Sequence, residues 1–244
     1  MCRLLAYSAR EKTTLPSFIG KDFSKFLELS NVHHDSWGLA IDDGTQTELL
    51  KAAETAINSQ TFSDEVNSRS GTGALLHFRW ASPGLPVSDE NAHPFTRDDI
   101  SFIHNGALSP YDALQDLVSA ELLEQRTGQT DTELFFLYLL TEIRKSDFLT
   151  GVLNVINNVK TNFDYSSINS MIMNPDYLVV VSEHNPDNKP TWADEYYYEL
   201  RYRSDENGFA VASSGWPQEG WSLIPNHRIL IIDRKTSQIQ VIDL

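Results

Sequence analysis

Met1-Cys2-Arg3-Leu4-Leu5-Ala6-Tyr7 opens the chain, and this run predicts a strand over residues 2–9 that enters the core directly from the terminus. Cys2 is the one cysteine in the sequence. A single thiol excludes an internal disulfide and any thiolate-rich zinc or iron–sulfur site. A free cysteine is ordinarily a small buried hydrophobe, but position 2 becomes the chain terminus once Met1 is removed.

Outward from that strand, Trp37–Asp42 and Thr47–Ala52 read as a hairpin around the turn Asp42-Asp43-Gly44-Thr45. The serine- and glycine-rich stretch Asn67–Gly73 leads into a strand over Ala74–Trp80. Ile100–His104 reads as a short strand ending at Asn105-Gly106, after a long loop carrying Pro83, Pro86 and Pro94. The period then changes. Apolar residues three and four apart predict helices over Pro110–Glu124, Asp131–Arg144 and Phe148–Lys160. Thr130 followed by Asp131 and Glu133 is an N-cap with acids in the first turn. Strands return at Asn169–Met173, Tyr177–Ser182, Tyr196–Arg203, Phe209–Ser213, Arg228–Asp233 and Gln238–Ile242, with Glu183–Asp194 as an exposed excursion. Strands, then helices, then strands around one core indicate an α+β layered fold and not a doubly wound parallel sheet.

The 244 residues suit one domain over 2–244. The net charge of −15, from 19 basic and 34 acidic residues, repels phosphate backbones and anionic lipid, so neither nucleic acid nor a membrane surface is an expected partner. The start has a charge at Arg3 and no long apolar run behind it, which argues against a signal peptide or membrane span and for a cytoplasmic location.

A terminal cysteine carries its own base. Its α-amine, with a reference pKa of about 7.7–8.0, takes the thiol proton directly or through one water, and the thiolate then attacks an amide carbon to form an acyl-enzyme. Six segments give this reading a family. Met1-Cys2-Arg3-Leu4-Leu5, His34-Asp35-Ser36-Trp37-Gly38-Leu39, His77-Phe78-Arg79-Trp80-Ala81-Ser82, Asn91-Ala92-His93-Pro94-Phe95, His104-Asn105-Gly106 and Thr130-Asp131-Thr132-Glu133 occur in the order seen in class II glutamine amidotransferases. The sequence resembles the stand-alone branch of that family, which includes γ-glutamyl hydrolases. Weaker similarity continues to about residue 232.

The resemblance implies that Cys2 is the nucleophile and that Arg79 holds the substrate α-carboxylate. A guanidinium fork fits a carboxylate bidentately, and Ser82 adds a hydroxyl from the following turn. An isolated arginine on a strand end is otherwise a surface residue. Asn105 and Gly106 match the oxyanion hole, although Asn-Gly is also the commonest tight turn and spacing alone favours that turn. Asp131 matches the acid that binds the α-ammonium, and a helix N-terminus also welcomes it for structural reasons. His93 shapes the pocket. His33, His34, His77 and His104 lack compact metal-ligand spacing, so neither a metal nor a cofactor is expected. The five tryptophans read as core or pocket-wall residues.

The same resemblance implies a four-layer αββα sandwich of two antiparallel sheets covered by helices, the N-terminal-nucleophile hydrolase fold. It implies hydrolysis of a γ-glutamyl amide, with glutamine or another small γ-glutamyl compound as substrate. Two alternatives stand beside it. One is a glutaminase subunit feeding ammonia to a separate synthase, and the other is a silent amino-acid-binding module; the protein partners open to the chain are a synthase or a second copy of itself.

Overall fold

The computed structural model describes residues 2–82 and 84–244; Met1 and Pro83 lie outside the described residues. One sheet has seven strands in the order β11-β9-β10-β1-β4-β2-β3. Its members are β1 (Arg3–Thr13), β2 (Ser36–Asp42), β3 (Thr47–Ala52), β4 (Gly71–Arg79), β9 (Leu200–Asp205), β10 (Gly208–Ser213) and β11 (Ser222–Ile224). The other has six in the order β13-β12-β8-β7-β6-β5. These are β5 (Phe95–Arg97), β6 (Ile100–Ser109), β7 (Asp164–Met173), β8 (Tyr177–Ser182), β12 (Arg228–Asp233) and β13 (Ile239–Asp243). All their pairings are antiparallel.

Strand alternation explains why the sheets stack. On β1, Leu4 and Ala6 face the core shared with Ile103, Met171 and Val180 of the other sheet. Leu5, Tyr7 and Ala9 face a second core with Leu15, Ile19 and Phe26 from the helices α1 (Leu15–Ile19) and α2 (Asp22–Leu27), and with Phe62 from α3 (Gln60–Ser68). On β6, Ile100 and Phe102 point away from Ile103, into a third core with α5 (Asp131–Lys145) and α6 (Phe148–Asn162). Each inner strand is apolar on both faces because each face meets a different layer. The result is helix, sheet, sheet, helix, the expected αββα sandwich.

Several local readings change. The predicted helix over Pro110–Glu124 is a 3₁₀ turn (Tyr111–Leu117), an extended break at Val118 and a short α4 (Ala120–Leu123). Leu114, Val118 and Leu122 are all buried by this bent path, so three-residue spacing served a broken element, and Thr141 Oγ1 accepts the freed Ser119 N–H at 3.1 Å. β6 does not end at Asn105-Gly106 but runs through it to Ser109, which removes the tight-turn reading of that pair. β7 begins at Asp164 and not at Asn169, and β1 extends to Thr13. The first residues of the predicted Tyr196–Arg203 strand form turns closed by Tyr197 N–H to Asp194 O and Glu199 N–H to Tyr196 O. Glu183 is not exposed: its side chain is fully buried and bonded to Tyr165 Oη at 2.7 Å and His227 Nδ1 at 2.8 Å. No helix among the described residues is long and apolar enough to cross a membrane.

Candidate active site

Cys2 precedes the central strand β1, which is flanked by β10 and β4. That position is fixed by its neighbours. Leu4 N–H donates to Ser213 Oγ at 3.0 Å. The buried Arg3 guanidinium donates to Tyr197 O at 2.9 Å and lies 3.9 Å from the centroid of the Tyr197 ring. Burial pushes the Arg3 pKa down and that of the Tyr197 phenol up. The contact between the two opposes both shifts, and the packed cation–π pair anchors the strand entrance.

The Cys2 main-chain N–H donates to Asn105 Oδ1 at 2.9 Å across the two sheets. Using the carbonyl end of the amide this way leaves the Nδ2 end as the donor available to a ligand. Gly106 follows, and a Cβ there would stand 1.8 Å from Ser167 O. Only glycine lets β6 approach β7 so closely at this point, and it brings the Gly106 main chain to the cleft wall.

Arg79 ends β4, is 3% exposed and donates from Nη1 to Pro86 O at 3.0 Å. Burial lowers its pKa, opposed by Cys2, Asp35 and Asp131. The turn after it is held by Asp35, whose Oδ2 accepts the Ala81 N–H at 2.7 Å. Asp131 begins α5, where the Thr130 hydroxyl caps Glu133 N–H at 3.1 Å as predicted. Its two oxygens accept from Thr132 N–H at 2.8 Å and Leu108 N–H at 3.0 Å, which locks the carboxylate between α5 and β6.

Three buried histidines back this arrangement. The His77 and His93 rings lie against each other with centroids 4.1 Å apart and planes inclined at 44°, and burial holds both well below the ordinary imidazole pKa. Burial also lowers His104. Its Nε2 faces the Ser167 carbonyl at 3.1 Å, which can only accept, so Nε2 carries the hydrogen and Nδ1 accepts from Thr132 Oγ1 at 3.0 Å. The 91–94 segment carrying His93 sits directly on β2, where a Cβ at Gly38 would lie 2.0 Å from His93 O.

Of the residues singled out in the sequence, Cys2, Arg79, Ser82, His93, Gly106 and Asp131 line one cleft, and Asn105 joins it through its bond to the Cys2 N–H. Ser82 is exposed at the mouth. The cleft is narrow, about 30 Å³. Arg3, Asp35 and the Thr132–His104 pair were not singled out, although each adjoins a residue that was. A cavity of about 500 Å³ among Arg10, Lys12 and Arg203 opens at the other end of β1, away from Cys2.

Residues 1–185 match the family model described as "Glutamine amidotransferases class-II". The sequence is 28% identical over 190 residues to the glutamine–fructose-6-phosphate aminotransferase (isomerizing) of Clostridium tetani, covering 76% of this chain and 29% of the relative. It is 33% identical over 120 residues to the enzyme of that name from Acinetobacter baylyi, covering 48% of this chain and 19% of the relative. The chain thus spans less than a third of the length of these relatives. Among solved structures, a glutamine aminotransferase class-II domain protein from Silicibacter pomeroyi superimposes with a TM-score of 0.71 at 18% identity, covering 100% of this chain and 99% of that one. A structure described as the allosteric regulatory enzyme of purine biosynthesis gives 0.65 at 18% identity, covering 100% and 49%. These likenesses agree with the two-sheet sandwich.

Proposed function

The chain belongs to the class II glutamine amidotransferases, and from that premise we propose that it hydrolyses the γ-glutamyl amide of a small metabolite, with Cys2 as nucleophile. The observation carrying this reading is the meeting in one cleft of a thiol, a buried guanidinium, a fixed carboxylate and the Gly106 main chain. Arg79 and Asp131 are an anion receptor and a cation receptor, the pair of charges that a free amino-acid head requires. A peptide-internal glutamine lacks both charges.

With Met1 removed, the α-amine of Cys2 accepts the thiol proton and the sulfur adds to the γ-carbonyl carbon. The carbonyl oxygen gains the negative charge between Asn105 Nδ2 and the Gly106 N–H. The C–N bond breaks, and the amine leaves with the proton held by the α-ammonium. Water then gives a proton back to the α-amine and attacks the thioester, which releases glutamate and restores the thiol. His77, His93 and His104 take no proton in this scheme; buried and neutral, they keep the cleft floor rigid.

A second reading follows from the two relatives named as aminotransferases: glutamine is the substrate and a separate synthase receives the ammonia. Purified protein assayed against glutamine and a panel of γ-glutamyl compounds separates the two. Turnover of substituted γ-glutamyl amides by the isolated chain is the expected result. Glutamine turnover that appears only with a co-purifying partner would overturn it in favour of the second reading.

A further inference from the structure

The Cys2 cleft opens beside a cavity of about 480 Å³, and both are lined by Trp80, Ala81 and Ser82. β6 runs from one to the other, with Gly106 on the cleft and Ala107 and Leu108 on the larger cavity. Two strand residues span roughly 7 Å, so a carbonyl oxygen at the Gly106 N–H holds its scissile nitrogen within one side-chain length of the second cavity.

Aromatic and aliphatic side chains share the wall of that cavity with Ser109, Asp164, Ser166 and Asn188. Trp80 and Trp192 stand with centroids 4.9 Å apart, inclined at 42°. Trp192 is braced edge-on by Tyr197 at 5.1 Å, the same tyrosine that Arg3 holds beside Cys2. Leu108 and Pro190 complete the apolar surface. Trp192 is nonetheless 51% exposed, a large indole kept at a cavity rim where a flat ring can lie against it. Lys189 also lines the cavity, but its ammonium donates to Asp194 O at 2.7 Å and so closes the loop carrying Trp192.

We propose that this cavity receives the amine half of the substrate and selects an arylalkyl amine, so that the protein prefers γ-glutamyl arylalkylamides to glutamine. The inference rests on the γ-glutamyl reading above and adds the identity of the leaving group. Ammonia leaves such a cavity empty, whereas an aromatic ring displaces water from the indoles and Leu108. The reaction remains a hydrolysis: the amide C–N bond is cut, one water is consumed, and glutamate and the free arylalkyl amine are released.

The test compares γ-glutamyl-2-phenylethylamide with γ-glutamylethylamide, whose scissile bonds both release a primary alkylamine and differ only in the ring. The expected wild-type preference is about tenfold or more in kcat/KM for the phenylethylamide. Trp192→Ala should bring the ratio near one, and Trp192→Phe should restore most of the preference. A wild-type ratio near one, a ratio that survives Trp192→Ala, or a parallel loss on both amides would overturn the assignment. Turnover of glutamine and the ethylamide without ring preference defeats this inference alone. Failure to cleave any of the three defeats the γ-glutamyl reading as well.

Discussion

Two cavities meet at Trp80-Ala81-Ser82 and are built in opposite ways. The Cys2 cleft is small, and its chemistry is anchored to regular structure: β1 entrance, β4 end, β6 and the first turn of α5. Its polar groups are held by bonds from main-chain donors or acceptors, as at Asp131 and Arg79. The neighbouring cavity is some sixteen times larger, taking about 480 against about 30 Å³, and its far wall is the 188–192 loop. Rigid elements fix charges to within a fraction of an ångström, whereas loops supply apolar area that tolerates a choice of ligand. The proposed γ-glutamyl head and arylalkyl amine fit that division.

The largest effect that can break the comparison concerns the thiol. Cys2→Ala should reduce turnover by about four orders of magnitude or more, since loss of the attacking group leaves only binding and oxyanion stabilisation. 6-Diazo-5-oxo-norleucine should label Cys2 alone in the processed protein, as read by peptide mass mapping. Activity that survives Cys2→Ala would remove the cleft from the chemistry.

Next in size are the charges of the head. Removing one partner of a buried charge contact costs about 2–5 kcal/mol, or roughly thirtyfold to several-thousandfold in kcat/KM. Arg79→Lys keeps the charge but loses the planar fork, so it should remain impaired. Both oxygens of Asp131 already serve main-chain donors, so reduced stability in Asp131→Asn would not by itself identify a substrate contact. Blocked substrates do. Asp131→Asn should stop discriminating against an N-acetylated γ-glutamyl amide, and Arg79→Lys against an α-amidated one. If each variant discriminated as strongly as wild type, the two residues would not touch the groups assigned to them.

A smaller loss should follow Asn105→Ala, about 10²–10³-fold in kcat, with KM changed far less because the donor engages an oxyanion formed only after attack. An equal rise in KM with unaltered kcat would instead give Asn105 a ground-state binding role. The bond from the Cys2 N–H to Asn105 Oδ1 means the same variant also frees the terminus, so acyl-enzyme formation should slow before hydrolysis does.

What could be read from the sequence divides along the line between these cavities. The convergence of Cys2, Arg79, Asn105-Gly106 and Asp131 on one cleft was legible because local chemistry and the order of short segments point to them. The layers were legible because short apolar strand runs give way to three- and four-residue spacing in α5 and α6 and then return. The larger cavity was not. Its far wall comes from a segment whose polarity suggested only an exposed excursion, and Tyr196–Tyr198 looked like a strand start because aromatics favour strands. Their turn is set by contacts with Arg3 and Ser214, which are 194 and 17 residues from Tyr197. Asn105-Gly106 shows the reverse case. Spacing pointed to a tight turn, and pairing of Asn105 with Asn169 and Gly106 with Ile168 in β6 and β7 decides against it.

The smallest effect separates the cavities by their response to acid. His77, His93 and His104 are buried at the Cys2 cleft, and among the described residues no histidine lines the larger cavity. Burial is the main cause that lowers each pKa; the nearby cations Arg79 and Lys51 add to it at His93, while Asp131 opposes it at His104. In the unfolded chain a histidine titrates near 6.5. Between that value and the lower native one, the unfolded state binds the extra proton, so stability rises with pH and is lost as pH falls below about 6.5. From pH 7 to 5.5 the loss is about 1 kcal/mol for each histidine that stays neutral in the fold, in a range above the ordinary carboxylate titrations. Urea unfolding at the two pH values measures it. His93→Gln keeps a polar side chain of similar reach and has no ring to protonate, so it should lose less stability on acidification than wild type by about one histidine's share. An identical acid loss in wild type and His93→Gln would mean that His93 takes up its proton without unfolding, and that the cleft floor is neither as dry nor as rigid as its packing implies.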